Sequence, residues 1–162
     1  MILLTSELRE RLLANGRQAD ADPMPVVKFF NPLGEDVWLA TELDADGDTL
    51  FGLADLGEPE LGSFSLSELT AVRLPFGLGI ECDILFAGLF PISAWAEAAR
   101  RTGSIRAAER VLHAVYHASR EVDIEVRGDC SEMDLSLIRR LAQAADTRPV
   151  IVRHVNPLCG QA

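Results

Sequence analysis

The chain has 162 residues, 25 acidic and 15 basic, for a formal net charge of −10, and 48% of its residues are hydrophobic. That apolar content excludes a disordered acidic tail, because disorder goes with low hydrophobicity. The acid excess argues against a general nucleic-acid coat, which needs Lys and Arg to neutralise phosphates.

The length suits one domain, or one domain with a small addition. Thr5 or Ser6 can cap a first helix that runs to about Ala14, with Leu8, Leu12 and Leu13 on its apolar stripe. Asn15-Gly16 is a stop signal. Residues 25–30 read as a strand ended by Asn31-Pro32-Leu33-Gly34. Residues 37–43 and 49–56 are two β-prone runs around Asp44-Ala-Asp-Gly-Asp48, which predicts a hairpin. Pairing Leu43 with Thr49 sets Trp38 opposite Ala54, beside Gly52, and puts Leu39 and Phe51 on the other face. Apolar residues on both faces predict a sheet covered at least partly on both sides.

Residues 62–65 suggest a short strand, and Ser65-Leu-Ser-Glu68 is a capping box for a short helix through Val72. Pro75, Gly77 and Gly79 mark a loop, and the alternation over residues 80–86 predicts another strand. A helix follows over residues 91–100, with Ser93 as candidate cap and Gly103 as stop. Residues 104–120 form an amphipathic helix with Ile105, Ala108, Val111, Leu112, Val115 and Ala118 on one side. Strands around residues 122–126 and 150–155 flank a capped helix from Ser131, which fits a right-handed βαβ unit or a hairpin with a helical insert. The predicted fold class is therefore α+β: a small, mostly antiparallel sheet with packed helices, then a helix and a βαβ-like C-terminal extension.

Charge divides the chain at the same place. Residues 1–103 hold 17 acids and 7 bases, and residues 104–162 hold 8 of each. Between Glu35 and Glu97 there are 13 acids and one base, Arg73. This predicts an acidic domain over 1–103 and a neutral α/β extension over 104–162, which can pack on the first as one unit. Lys28 is the only lysine. Genome base composition is the plain explanation of the arginine bias.

Cys82, Cys130 and Cys159 are far apart and form no Cys-x-x-Cys pair, which fits reduced thiols in a cytoplasm. The first residues lack a basic n-region. The longest charge-free run spans thirteen residues, 84–96, and is broken by Pro91. A membrane-spanning helix needs about 20. A soluble cytoplasmic protein is expected.

Several clusters could carry chemistry. Asp44, Asp46 and Asp48 alternate like the first ligands of a calcium loop, but Thr49 and Asp55 stand where that loop needs Gly and Glu, so the hairpin turn is preferred. His113 and His117 are one helical turn apart, yet no neighbouring residue supplies a third zinc ligand. A solvated polar face that also carries Arg106, Arg110 and Arg120 is the better reading. Cys130 precedes a predicted helix start, a position that lowers a thiol pKa, but free cysteines are most often buried. Glu58 and Glu60 sit in a predicted exposed loop, where burial cannot split their pKa values for proton transfer. No Gly-rich phosphate loop, nucleophile elbow or zinc-protease helix is present.

The order Leu4-Thr-Ser-Glu-Leu-Arg-Glu-Arg-Leu-Leu-Ala-Asn-Gly16, Pro25-Val-Val-Lys-Phe-Phe-Asn-Pro32, Trp38-Leu-Ala-Thr-Glu-Leu-Asp44 and Phe51-Gly-Leu-Ala-Asp-Leu-Gly57 resembles domain-of-unknown-function family 2958. Pro59-Glu-Leu-Gly62, Ser65-Leu-Ser-Glu-Leu69 and Ser93-Ala-Trp-Ala-Glu97 continue the resemblance, which covers residues 2–103. It implies the setting of accessory proteins of plasmids, phages and integrative elements. It brings no activity, cofactor or catalytic residue.

The expected function is a non-enzymatic interaction module of a mobile element, an inhibitor or modulator of a host defence or DNA-handling protein. Its acidic face, Glu42, Asp44, Asp46, Asp48, Asp55, Glu58 and Glu60, would meet a basic protein surface. No cofactor, metal or membrane is implied. The alternatives are a small enzyme, or a nucleic-acid accessory protein using Arg106, Arg110, His113, His117 and Arg120.

Overall fold

A computed structural model describes residues 3–18, 21–120, 124–127 and 152–155. The chain divides into two compact units, residues 1–112 and 113–162. The first unit takes in the start of the long helix after Gly103, because Ile105, Ala108 and Leu112 are buried.

The first unit is built on a five-stranded antiparallel sheet in the order β4-β3-β2-β1-β5. The strands are β1 (Val27–Phe30), β2 (Val37–Leu43), β3 (Thr49–Asp55), β4 (Pro59–Ser65) and β5 (Glu81–Cys82). Its helices are α1 (Ser6–Gly16), α2 (Leu66–Ala71), α3 (Ile92–Thr102) and the first part of α4 (Ile105–Arg120). The second unit pairs β6 (Ile124–Arg127) with β7 (Val152–Val155) in parallel, Ile124 opposite Val152. Parallel pairing is that of a crossover unit and not of a hairpin. The predicted helix from Ser131, with Cys130 and Cys159, lies outside the described residues.

The sheet is covered on both faces. On one face Phe29, Trp38, Ala40, Leu43 and Leu50 join Leu3, Leu4, Leu12, Leu66 and Leu69 in one core, so α1 and α2 lie there. On the other face Val37, Leu39 and Leu53 are fully buried, and α3 contacts β3 and β4. Trp95 of α3 is fully buried, donates its indole N–H to the Gly88 carbonyl (2.7 Å) and lies 5.8 Å from the Phe86 ring. Each large side chain so buried contributes about 1.5–3 kcal/mol.

The local signals act as their chemistry dictates. The Thr5 hydroxyl accepts from the Leu8 amide and the Ser65 hydroxyl from the Glu68 amide, as caps do. Gly103 ends α3 in the left-handed region, at φ 85°. Trp38 pairs with Ala54 as the hairpin register predicts, but Leu43 pairs with Leu50 and not Thr49. A bulge at Thr41 takes up the difference. The buried Thr41 hydroxyl donates to the Phe51 carbonyl (3.1 Å), and its own carbonyl accepts from Asn15 (2.9 Å).

Four expectations are corrected. The 80–86 strand shrinks to Glu81–Cys82, because the Asp83 carboxylate accepts from the Leu85 amide and turns the chain. The strand predicted at 62–65 begins at Pro59, which puts Glu60 in β4 and not in a loop. Ser93 does not cap α3; Pro91 holds that position, and Ser93 bonds to Asp22. The apolar stripe of α4 is buried only in part, since Val111 and Val115 are 47% and 41% exposed.

Candidate functional site

The seven acids predicted as one face do not form one. Asp44, Asp46 and Asp48 occupy the β2–β3 turn, while Glu58 lies in the β3–β4 turn and Glu60 just after it in β4, at the opposite end of β3. A seven-residue strand separates the two ends by about 20 Å. Glu42 is half-buried on β2, opposite Phe51. Asp55 is buried: one carboxylate oxygen accepts from the Ile105 amide at the start of α4 (2.8 Å), the other from the Gly57 amide (3.3 Å). It fastens α4 to the sheet and is not available to a partner.

The β2–β3 turn is held by its own carboxylates. Asp46 accepts from the Thr49 hydroxyl (2.6 Å) and from the amides of Asp48 (2.8 Å) and Thr49 (2.9 Å). The Thr49 hydroxyl first, then these amides, hold its pKa below the ordinary carboxylate value. Asp48 accepts from the Ser65 hydroxyl (2.7 Å) and the Ser67 amide (2.7 Å), which tie the hairpin to α2 and lower its pKa in the same way. These contacts explain the alternating aspartates as turn chemistry. Among the described residues no group of three or more His, Cys, Asp or Glu is placed to hold a metal ion.

The predicted basic face is also divided. Arg106 turns back to the β1–β2 turn, donating to the Gly34 carbonyl (2.9 Å) and lying 3.3 Å from the Glu35 carboxylate. Arg110 is exposed, and the His113 and His117 rings stand 6.2 Å apart. The Arg120 side chain lies outside the described residues.

One cluster escaped the sequence reading. Lys28 of β1 points to the α4 side, with its side chain 12% exposed. Its ammonium donates to both Glu109 carboxylate oxygens (2.8 Å each) and pairs with Asp83 (3.0 Å), 5.9 Å from the Phe86 ring centroid. Burial raises the Asp83 pKa, but the Lys28 ammonium and the Leu85 amide outweigh it and the net direction is down. Burial, then the Asp83 charge, pushes the Cys82 thiol up, which disfavours its thiolate form. A cleft of about 410 Å³ opens beside this cluster, lined by Lys28, Phe30, Cys82, Asp83, Ile84, Leu85 and Arg106. Its cation is already matched by two carboxylates, so the cluster acts as a clamp between β1, the turn after β5, and α4. A lone lysine between valine and phenylalanine in a strand covered on both faces was the signal that could have located it.

The fold and these clusters define a small α+β domain in which an antiparallel sheet is sandwiched between helices, with acids at both ends of its outer hairpin. The model of a family described as "Protein of unknown function (DUF2958)" matches residues 3–106. The chain belongs to this family. No curated protein and no solved structure matches this chain significantly.

Proposed function

We propose that the chain is a non-enzymatic protein-interaction module that presents acidic surface to a basic partner, in the plasmid or phage setting that its family resemblance implies. The carrying observation is uncompensated charge. Of the 13 acids from Glu35 to Glu97, only Glu35, Asp83 and Glu97 make an ion pair among the described residues. The one base of that segment, Arg73, donates instead to the carbonyls of Thr70 and Val72. Asp44, Glu58, Glu60 and Glu68 are exposed. Such a surface steers association with basic proteins and loses reach as salt rises. Proteins that handle DNA carry basic surfaces of this kind, so a DNA-handling or defence protein of the host fits the chemistry.

The test is capture from lysate of the native host at rising salt. It compares the protein with a variant carrying Asp44→Asn, Glu58→Gln, Glu60→Gln and Glu68→Gln. These positions spare Asp46 and Asp48, which hold the turn. The expected result is a partner released by salt and not retained by the variant. A partner held equally by both, independent of salt, sinks the reading.

A further inference from the structure

We infer that the outer edge of β4 receives an extended segment of a partner by strand addition, the segment carrying Lys or Arg at both ends and uncharged, small or β-branched residues between. The charge part of this inference rests on the acidic reading above; the backbone part does not.

Three observations carry it. First, β4 ends the sheet order and pairs with β3 through all seven of its residues, from Pro59 to Ser65, with no break in register. The opposite edge, β5, is two residues long. Second, among the described residues the strand itself carries few of the usual guards, although α3 and α2 contact it. Native edge strands are kept from pairing by short length, charges, prolines, bulges or a covering helix or loop. Here Pro59 and Glu60 guard only the start. Leu61-Gly-Ser-Phe-Ser65 has no charge, no proline and no bulge. Leu61 is 48% exposed, and a Cβ at Gly62 would meet nothing within 4 Å. A long, regular edge with no strand paired to it among the described residues is a template for another strand.

Third, the charge at its ends selects the occupant. Exposed Glu58 and Glu60 stand at the start, and exposed Glu68 follows Ser65 at the end. Glu60 and Ser65 are about 17 Å apart along an extended strand, so basic residues four to six positions apart in the incoming segment reach both ends. A second copy of this chain fits poorly. It would bring another formal charge of −10 against this edge, and like charges oppose association.

The test uses the isotope-labelled full-length protein. The probe is a set of synthetic peptides of about eight residues, with lysine at each end and valine and threonine between. Each is also made in two forms, N-methylated on one or the other alternate set of amides. Only one set of amides can face β4, because successive residues of a strand point opposite ways. The expected result is amide shifts centred on residues 60–65. One methylated form should lose about tenfold or more in affinity, while the other binds like the parent. Equal binding by both forms overturns strand addition and leaves the acidic reading standing. Shifts elsewhere, no binding by any peptide at low salt, or a dimer in sedimentation also overturn it. Unchanged affinity in Glu58→Gln with Glu60→Gln removes the acidic reading instead, and with it the basic ends.

Discussion

Gly52 shows how much one residue can carry in this fold. Gly52 pairs with Ala40 next to the bulge at Thr41, and a Cβ at position 52 would lie 1.8 Å from the Leu39 carbonyl oxygen. No side chain fits without moving the backbone of β2. Gly52→Ala should therefore destabilise the domain by roughly 1–3 kcal/mol or more, the range for overpacking a close-packed site. A lowered urea midpoint at unchanged slope would report it, and an unchanged midpoint would show that the bulge can yield. The sequence marks Gly52 as a small partner for Trp38, but the bulge is invisible there. It arises only when two strands of fixed twist are paired and the turn between them is closed. Asp55 gives the same lesson with a charge. In the sequence it is one more acid; in the fold it is buried under α4, because the Ile105 amide needs an acceptor there.

The β2–β3 hairpin and α2 form one linked element through Asp48, Ser65 and Ser67. Folding lowers the pKa of both Asp46 and Asp48. The folded chain thus binds fewer protons than the unfolded one between the two values. Their stabilisation is present in full above the ordinary carboxylate value and is lost as pH falls through the lowered one, a window below about pH 4. Urea midpoints measured across the acid range should fall in that window, and Asp48→Asn should flatten the fall while costing stability at neutral pH. An unaltered acid limb in Asp48→Asn would remove this carboxylate from the account. The capping box at Ser65 was legible because it is local chemistry over four residues. The strand predicted over 80–86 failed for a local reason too: Asp83 bonds back to the Leu85 amide, and side-chain competition of this kind overrides alternation.

Across the whole first unit, Lys28 is the long-range tie. It joins β1 to Asp83 after β5 and to Glu109 on α4, residues 81 positions apart in the second case. Replacing it with methionine leaves two carboxylates without their cation. Lys28→Met should cost roughly 1–3 kcal/mol, since both acids keep some solvent. Adding Glu109→Gln should return part of that loss, and equal stability of the two variants would mean that Glu109 is not coupled to Lys28. Under the proposed function the acidic excess would act at the same scale, through association and its dependence on salt.

By itself the sequence determined the α+β class, most helix ends, the hairpin, the family and the confinement of net negative charge to the first two-thirds. Those features are encoded locally, in caps, turns, periodicity and composition. The tertiary structure decided which acids share a surface, which are consumed in turns or buried, and that Lys28 meets two carboxylates far away in the chain. It also set β4 at the end of the strand order among the described residues. These depend on strand order and on which face each helix covers, and no window of sequence contains both sides of such a contact.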